Sequence, residues 1–267
     1  MTESATGTQR VQLTVQADLA EIRLTWPERF NAIDPAWVAA LAEAIEGCAV
    51  RDDIRAVLIC ADGRRFSVGG DLEHFAARAA DLDVALAEMV PPYHVALERL
   101  ASLPYPVVCA VQGSAAGGGL GLLYSADVVI SADDAVFACG FSELGVSGDG
   151  GGTWYLPRLV GLRRAQELMY LGRRLTAQEA LEWGLITTVV PADELEQRAR
   201  AVASTLAAGP TIAFAHMRRM LRESWGASLR EQLTSESEAI LACGETQDAR
   251  EGMRSFYERR RPSFNND

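Results

Sequence analysis

The chain has 267 residues, 49% hydrophobic and 23% charged, an ordinary globular composition long enough to bury a core without disulfides or metal. A net charge of −11 argues against nucleic acid and anionic membrane as general partners. Five dispersed cysteines without a CxxC pair, no apolar leader and no eighteen-residue apolar span point to free thiols in the cytoplasm.

In chain order, VQLTV (11–15) and AEIRLT (20–25) alternate around a short polar turn and predict a hairpin. Asp34-Pro35 opens a helix over 35–49, with Asp34 as N-cap. RAVLICA (55–61) is a buried strand, and after the loop DGRRFSVGGD the segment LEHFAARAA is helical with Asp71 as its cap. A longer helical stretch runs over about 84–103, closed by Pro104 and Pro106. Within 72–100, however, Met89, Pro91, Pro92, Tyr93 and His94 mark an irregular loop expected to wall a binding pocket. PVVCAV (106–111) is a strand, and QGSAAGGGLGLLYSAD (112–127) is a glycine turn running into a helix. DVVISA (127–132) and AVFAC (135–139) are strands, 153–172 is helical, and TAQEALEWG (176–184) is a short helix ended by Gly184. ITTVV (186–190) is the last strand, and the remainder is helical to the basic tail FYERRRPSF. Strands alternating with helices predict an α/β fold with a mainly parallel sheet.

Several chemistries lack their residues. There is no GxxxxGK[ST] loop, no GxGxxG fingerprint in context, no GxSxG elbow and no HExxH. His74, His94 and His216 are scattered and read as surface or packing residues. Ser67, Ser114 and Ser142 therefore have no placed base for a serine hydrolase.

What remains are two segments of one design. RFSVGGDL (65–72) and QGSAAGGGLG (112–121) each follow an apolar strand and place glycines at a helix start, where backbone N–H groups lack partners. Two such amides converging on one point would hold a developing oxyanion. Taken singly, either glycine cluster is equally explained by tight helix–strand packing.

These segments resemble the two oxyanion segments of the crotonase family, the enoyl-CoA hydratases and isomerases. PERFNAI (27–33) resembles its CoA-contact motif, GDGGGTWYLPRLVG (148–161) its glycine turn and following helix. LGRRLTAQEALEWGLITTVVP and FYERRRPSF resemble its downstream helices and C-terminus, so the likeness spans nearly the whole chain in order. It implies an α/β spiral of ββα units over residues 1–200 and a helical trimerisation region over 201–267, assembled as trimers or dimers of trimers. It implies an acyl-CoA thioester as substrate, coenzyme A entering only as part of it, with no separate cofactor and no metal. Carried over by position, the oxyanion donors are the amides of Gly70 and Gly118. Arg29, Asn31 and Ala32 lie beside CoA, and Ser67, Gly69, Asp71, Leu72, Gly117, Phe141 and Glu143 are the other substrate-binding residues it implies, Glu143 also reading as a solvated or ion-paired glutamate.

Hydratases of the family hold water between two glutamates, and here those positions are Gly121 and Phe141. Asp149 matches the position at which several isomerases of the family, including epoxyphenylacetyl-CoA isomerases, carry a catalytic aspartate. The expected activity is therefore acyl-CoA isomerisation through a thioester enolate, with Asp149 as proton shuttle and an apolar surround from Phe141, Leu144, Val146, Trp154 and Tyr155. Three alternatives stand beside it: a turn or cap role for Asp149, hydratase (lyase) activity by Glu143 with Asp149, and a non-catalytic acyl-CoA-binding homologue. Glu143 lies two residues past the hydratase glutamate, on the same face of the segment if that segment is extended. Arg29, Arg64, Arg65 and the run Arg259–Arg261 are candidates for the CoA phosphates; for that run a solvated surface is the equal alternative.

Overall fold

The computed structural model describes residues 9–265 and 267. Strands β1 (Val11–Gln16) and β2 (Leu19–Leu24) form the predicted antiparallel hairpin. β2 then continues into a sheet with β3 (Ala56–Ala61), β4 (Val107–Val111), β6 (Val128–Ala132) and β9 (Thr188–Val190). In the spatial order β1-β2-β3-β4-β6-β9, every pairing after the hairpin is parallel. A smaller sheet joins β5 (Ser114–Ala116) to β7 (Val136–Ala138) in parallel and β7 to β8 (Arg174–Thr176) antiparallel. The chain thus visits the large sheet, then the small one, then a helix: β4, β5 and α4 (Leu120–Ser125) make one such unit. This is the expected spiral of ββα units.

The large sheet is covered on both faces, which is why its central strands read as unbroken apolar runs. Val57 and Ile59 of β3 belong to a core with α1 (Pro35–Ala49) and α3 (Leu82–Ser102), through Trp37, Leu41, Ile45, Leu97 and Leu100. The alternate residues Ala56, Leu58 and Cys60 face α8 (Leu195–Ala207), which buries Leu195, Ala199, Ala203 and Ala207 at an unbroken four-residue spacing. The supposed boundary at residue 200 falls inside α8. Its second half belongs to the sheet layer, and the helical extension starts with α9 (Thr211–Glu223), followed by α10 (Leu229–Gly244) and α11 (Gln247–Glu258).

Three local expectations need correction. Residues 72–100 are not an irregular loop: α2 (Leu72–Ala77) leads through a 3-10 turn into α3, which runs unbroken through Pro91 and Pro92. Both prolines sit on the exposed side while Met89, Tyr93, Ala96 and Leu97 bury the opposite one, so tertiary burial offsets the lost backbone bonds. The helix expected over 153–172 is two, α5 (Gly152–Leu159) and α6 (Leu162–Tyr170), separated where Gly161 takes φ +84°. The 142–144 segment is a 3-10 turn, so the same-face argument for Glu143, which assumed extended backbone, does not hold. The Asp34 cap is as expected: its side chain accepts from the Trp37 N–H, with Pro35 in the first turn.

Among the described residues no helix is long and apolar enough to cross a membrane.

Candidate active site

The two glycine corners touch. A β-bridge between Ser67 and Ala115 ties the first to β5, and a Cβ built on Gly69 would lie 2.7 Å from the Ala116 carbonyl oxygen and 3.2 Å from the Gly118 nitrogen. Gly69 also has φ +84°, so only glycine allows this approach without strain. Ile33 pairs in parallel with Gly70: its N–H donates to the Gly69 carbonyl, and its carbonyl accepts the Asp71 N–H. In such a pairing the amide of Gly70 itself points to the other side of the strand, away from Ile33. Gly118 is the middle residue of the 3-10 turn Gly117–Gly119, ahead of the first bond internal to that turn. Neither amide is engaged by the bonds that fix its corner, and both glycines line one cavity of about 1510 Å³.

Asp149 stands against Gly118. A Cβ at Gly118 would be 3.4 Å from Asp149 Oδ1, and that oxygen is buried without a hydrogen-bond partner. Burial pushes the carboxyl above the usual aspartate range, an effect the neighbouring His94 partly offsets. The cap alternative is not what the backbone does. Gly151 is the residue at the N-terminus of α5, and no side chain caps it; Asp149 takes part only through its main-chain carbonyl, which accepts the Gly152 N–H. Asp149 also lines a second cavity of about 890 Å³ between α3, α5 and α9, walled by Leu97, Ala101, Trp154 and Tyr155 among others. Asp149, Gly148 and His94 are common to both spaces.

Of the two positions that the resemblance matches to hydratase glutamates, the first has no free space. A Cβ at Gly121 would meet Leu97 Cδ1 at 2.7 Å, the Tyr93 hydroxyl at 2.8 Å and the Gly150 carbonyl at 3.0 Å. Phe141 and Glu143 both line the larger cavity, and Glu143 reaches toward Gly172, where a Cβ would lie 3.1 Å from Oε1.

The residues expected around CoA divide into two groups. Leu72, Gly117, Arg64 and Arg65 line the larger cavity, with Arg65 stacked 4.5 Å from the Phe30 ring centroid. Asn31, Ala32, Ser67 and Gly69 do not; they form the scaffold behind it. Asn31 is wholly buried, accepts the Trp26 N–H at 2.9 Å and donates to the Asp62 and Arg65 carbonyls, both at 3.0 Å. The Ser67 hydroxyl donates to the Asn31 carbonyl. Arg29 is engaged too, by Asp71 at 2.8 Å and by Glu73, while Asp71 caps α2 by accepting from Glu73 N–H and His74 N–H. Arg260 of the basic tail pairs with Glu251 and Glu258.

The sequence placed Tyr93 and His94 in a stretch expected to wall the pocket but gave neither a role at the site. The Tyr93 hydroxyl donates to the Gly118 carbonyl at 2.6 Å, and His94 Nε2 accepts the Gly150 N–H at 3.1 Å. Their contacts lie 25 and 56 residues away, so no local pattern exposes them. The nearest signal is the cluster around Pro91 and Pro92.

As a whole the arrangement can polarise one carbonyl through main-chain N–H groups and present one poorly solvated carboxylate beside it. A model of the family described as "Enoyl-CoA hydratase/isomerase" matches residues 14–267. The "Probable enoyl-CoA hydratase" of Rhodobacter capsulatus is 37% identical over 254 residues, covering 95% of this chain and 97% of the relative. The 1,2-epoxyphenylacetyl-CoA isomerase of Escherichia coli K12 is likewise 37% identical over 254 residues, covering 94% and 96%. Among solved structures, the enoyl-CoA hydratase from Bacillus anthracis superposes with a TM-score of 0.91 at 30% identity, covering 97% of this chain and all of that one.

Proposed function

The chain belongs to the enoyl-CoA hydratase/isomerase family and is an enzyme of that family, and from that premise we propose that it isomerises an acyl-CoA thioester through an enolate. The Asp149 carboxylate takes a proton from the carbon next to the thioester. The C–H electron pair moves onto the thioester oxygen, which the amides of Gly70 and Gly118 hold. The same carboxyl then returns the proton to a different carbon of the acyl group, so nothing is gained or lost overall. Coenzyme A enters as part of the substrate, with Arg64 and Arg65 at the cavity mouth meeting its phosphates. Arg29, already paired with two carboxylates, is the weaker candidate for that contact.

The observation that carries the reading is Asp149 Oδ1: buried, unpartnered and against Gly118, with the first hydratase glutamate position filled by packing. A carboxylate short of solvation is a stronger base, and the stability it costs is retained where catalysis uses that basicity. A homotrimer or dimer of trimers accompanies this reading; exposed apolar side chains on the C-terminal helices, Ile240, Leu241, Met253, Phe256 and Tyr257, support it.

In Asp149→Asn, acyl-CoA binding should persist while isomerase turnover on 3-enoyl-CoA substrates falls by about 10³-fold or more. Near-normal turnover would refute the assignment. Hydration is the second reading, favoured by one observation, the presence of Glu143 in the cavity of Asp149. A vigorous hydration rate with crotonyl-CoA, lost in Glu143→Gln, would establish it instead.

A further inference from the structure

Tyr93 and His94 are consecutive residues of α3, yet they grip different loops. The Tyr93 hydroxyl, in a side chain only 1% exposed, donates to the carbonyl of Gly118 at 2.6 Å. His94 Nε2 accepts the N–H of Gly150, the residue after Asp149, at 3.1 Å. The two grips nearly meet: a Cβ at Gly150 would lie 3.3 Å from the Gly118 oxygen. One turn of one helix is therefore bonded both to the proposed oxyanion corner and to the loop carrying the proposed base.

Both loops are rich in glycine. Gly117, Gly150 and Gly151 all have positive φ, and the Asp149 carboxylate has no partner on the oxygen that faces Gly118. Glycine-rich backbone retains more conformational freedom than any other, so an external bond is needed to choose one orientation. The preceding Pro91 and Pro92 remove the N–H donors that would have bonded the carbonyls of Ala87 and Glu88. A helix continues through them because the Tyr93 side is buried, against Trp37 among others, with the two rings edge-to-face at 6.0 Å. Tyr93 cannot readily give up its proton: burial, reinforced by Asp149, holds the phenol well above its ordinary range, so it stays a donor.

We propose that Tyr93 and His94 are the positioning residues of this site, Tyr93 setting the orientation of the Gly118 peptide and His94 the reach of Asp149 toward the substrate. The proposal rests on the enolate reading above. Tyr93 acts on how well the thioester oxygen is held; His94 acts on proton transfer. Misplacement of a reacting group by about 1 Å costs on the order of 10²-fold in rate, and that is the scale expected of each.

The test compares Tyr93→Phe, His94→Phe and His94→Gln in the full-length protein with two readouts. The first is steady-state isomerase kinetics. The second is titration with acetoacetyl-CoA, whose enolate has its own near-ultraviolet absorbance and reports the oxyanion site without turnover. Tyr93→Phe should lower kcat by about 10²-fold and the bound enolate by about tenfold, with KM within about threefold of wild type. His94→Phe should lower kcat similarly but leave the enolate signal intact. His94→Gln, whose amide oxygen still accepts an N–H, should restore kcat to within about threefold. If both phenylalanine variants keep wild-type kcat and enolate binding, the proposal is overturned. It is equally overturned if kcat and melting temperature fall while KM rises in all three, which is what a purely structural role produces. A wild type that neither binds acetoacetyl-CoA as enolate nor depends on Asp149 removes the enolate reading itself, and this inference with it.

Discussion

Replacing Gly121 by glutamate should not install a hydratase. The substitution places at 121 the residue type that the resemblance assigns to hydratases there, so if only the carboxylate were missing it would supply it. The space has instead been taken up. An added Cβ alone would stand 2.7 Å from Leu97 Cδ1, 2.8 Å from the Tyr93 hydroxyl and 3.0 Å from the Gly150 carbonyl, inside the buried α4. Leu97 and Tyr93 are themselves buried, so neither end swings aside at low cost, and the Gly150 oxygen is main chain. Overpacking of this kind costs about 1–3 kcal/mol, against which alanine's better helix propensity returns up to about 1 kcal/mol. Gly121→Ala should therefore be destabilised by up to about 2 kcal/mol, a fall of up to roughly 8 °C in melting temperature for a chain of this size. Gly121→Glu should fall further, because it also buries a carboxylate without a partner. Removing the hydroxyl in Gly121→Ala/Tyr93→Phe should recover part of the loss, since the cost is pairwise contact and not backbone strain. Calorimetry of the three variants and a crotonyl-CoA hydration assay make the measurement. A Gly121→Glu protein that melts with wild type and hydrates crotonyl-CoA would show that the pocket had only lost its glutamate, and the reasoning would be wrong.

Asp149→Asn should be inactive yet more stable than wild type at pH 8. The folded pKa lies above the unfolded one, so the cost of burying the charge is fully present above the folded value and disappears below about pH 3.9, where the advantage should close; a melting-temperature difference that does not shrink toward acid would contradict this. By the same shift, the acid limb of kcat/KM should sit above the usual aspartate range, and Asp149→Glu should move it. Asn31→Ala should lose three hydrogen bonds of a buried side chain and about 2–4 kcal/mol of stability, read as a lower melting temperature, because the side chain holds the 62–65 loop. A raised KM at unchanged stability would instead put Asn31 on the ligand. Arg218→Met should cost about 3–5 kcal/mol in a denaturant titration. Its guanidinium, 6% exposed, donates to Asp127 and to the carbonyls of Leu100, Ala101, Leu103 and Ser125, all of which would lose a donor.

Much of this protein can be read locally. The hairpin, the Asp34 and Asp71 caps, the central strands and the Gly184 stop follow from residues within a few positions of one another, because propensity, capping and two- or 3.6-residue periodicity are short-range effects. Glycine clusters after strands marked the two corners for the same reason. Scaffold and lining were a different matter: Asn31 and Arg29 look alike as polar loop residues, and only their partners at 62, 65, 71 and 73 reveal that both are already engaged. Likewise the continuity of α3 through two prolines depends on burial against α1, which no local rule weighs. Sequence alone settled the hairpin, the capped helices, the central strands and the family likeness, and put glycine at 121 and phenylalanine at 141. That Asp149 lies unpartnered against Gly118, that Gly121 is packed full, and that Tyr93 and His94 bind both loops were decided by the tertiary structure, since each depends on atoms brought together across 24 to 56 residues of chain.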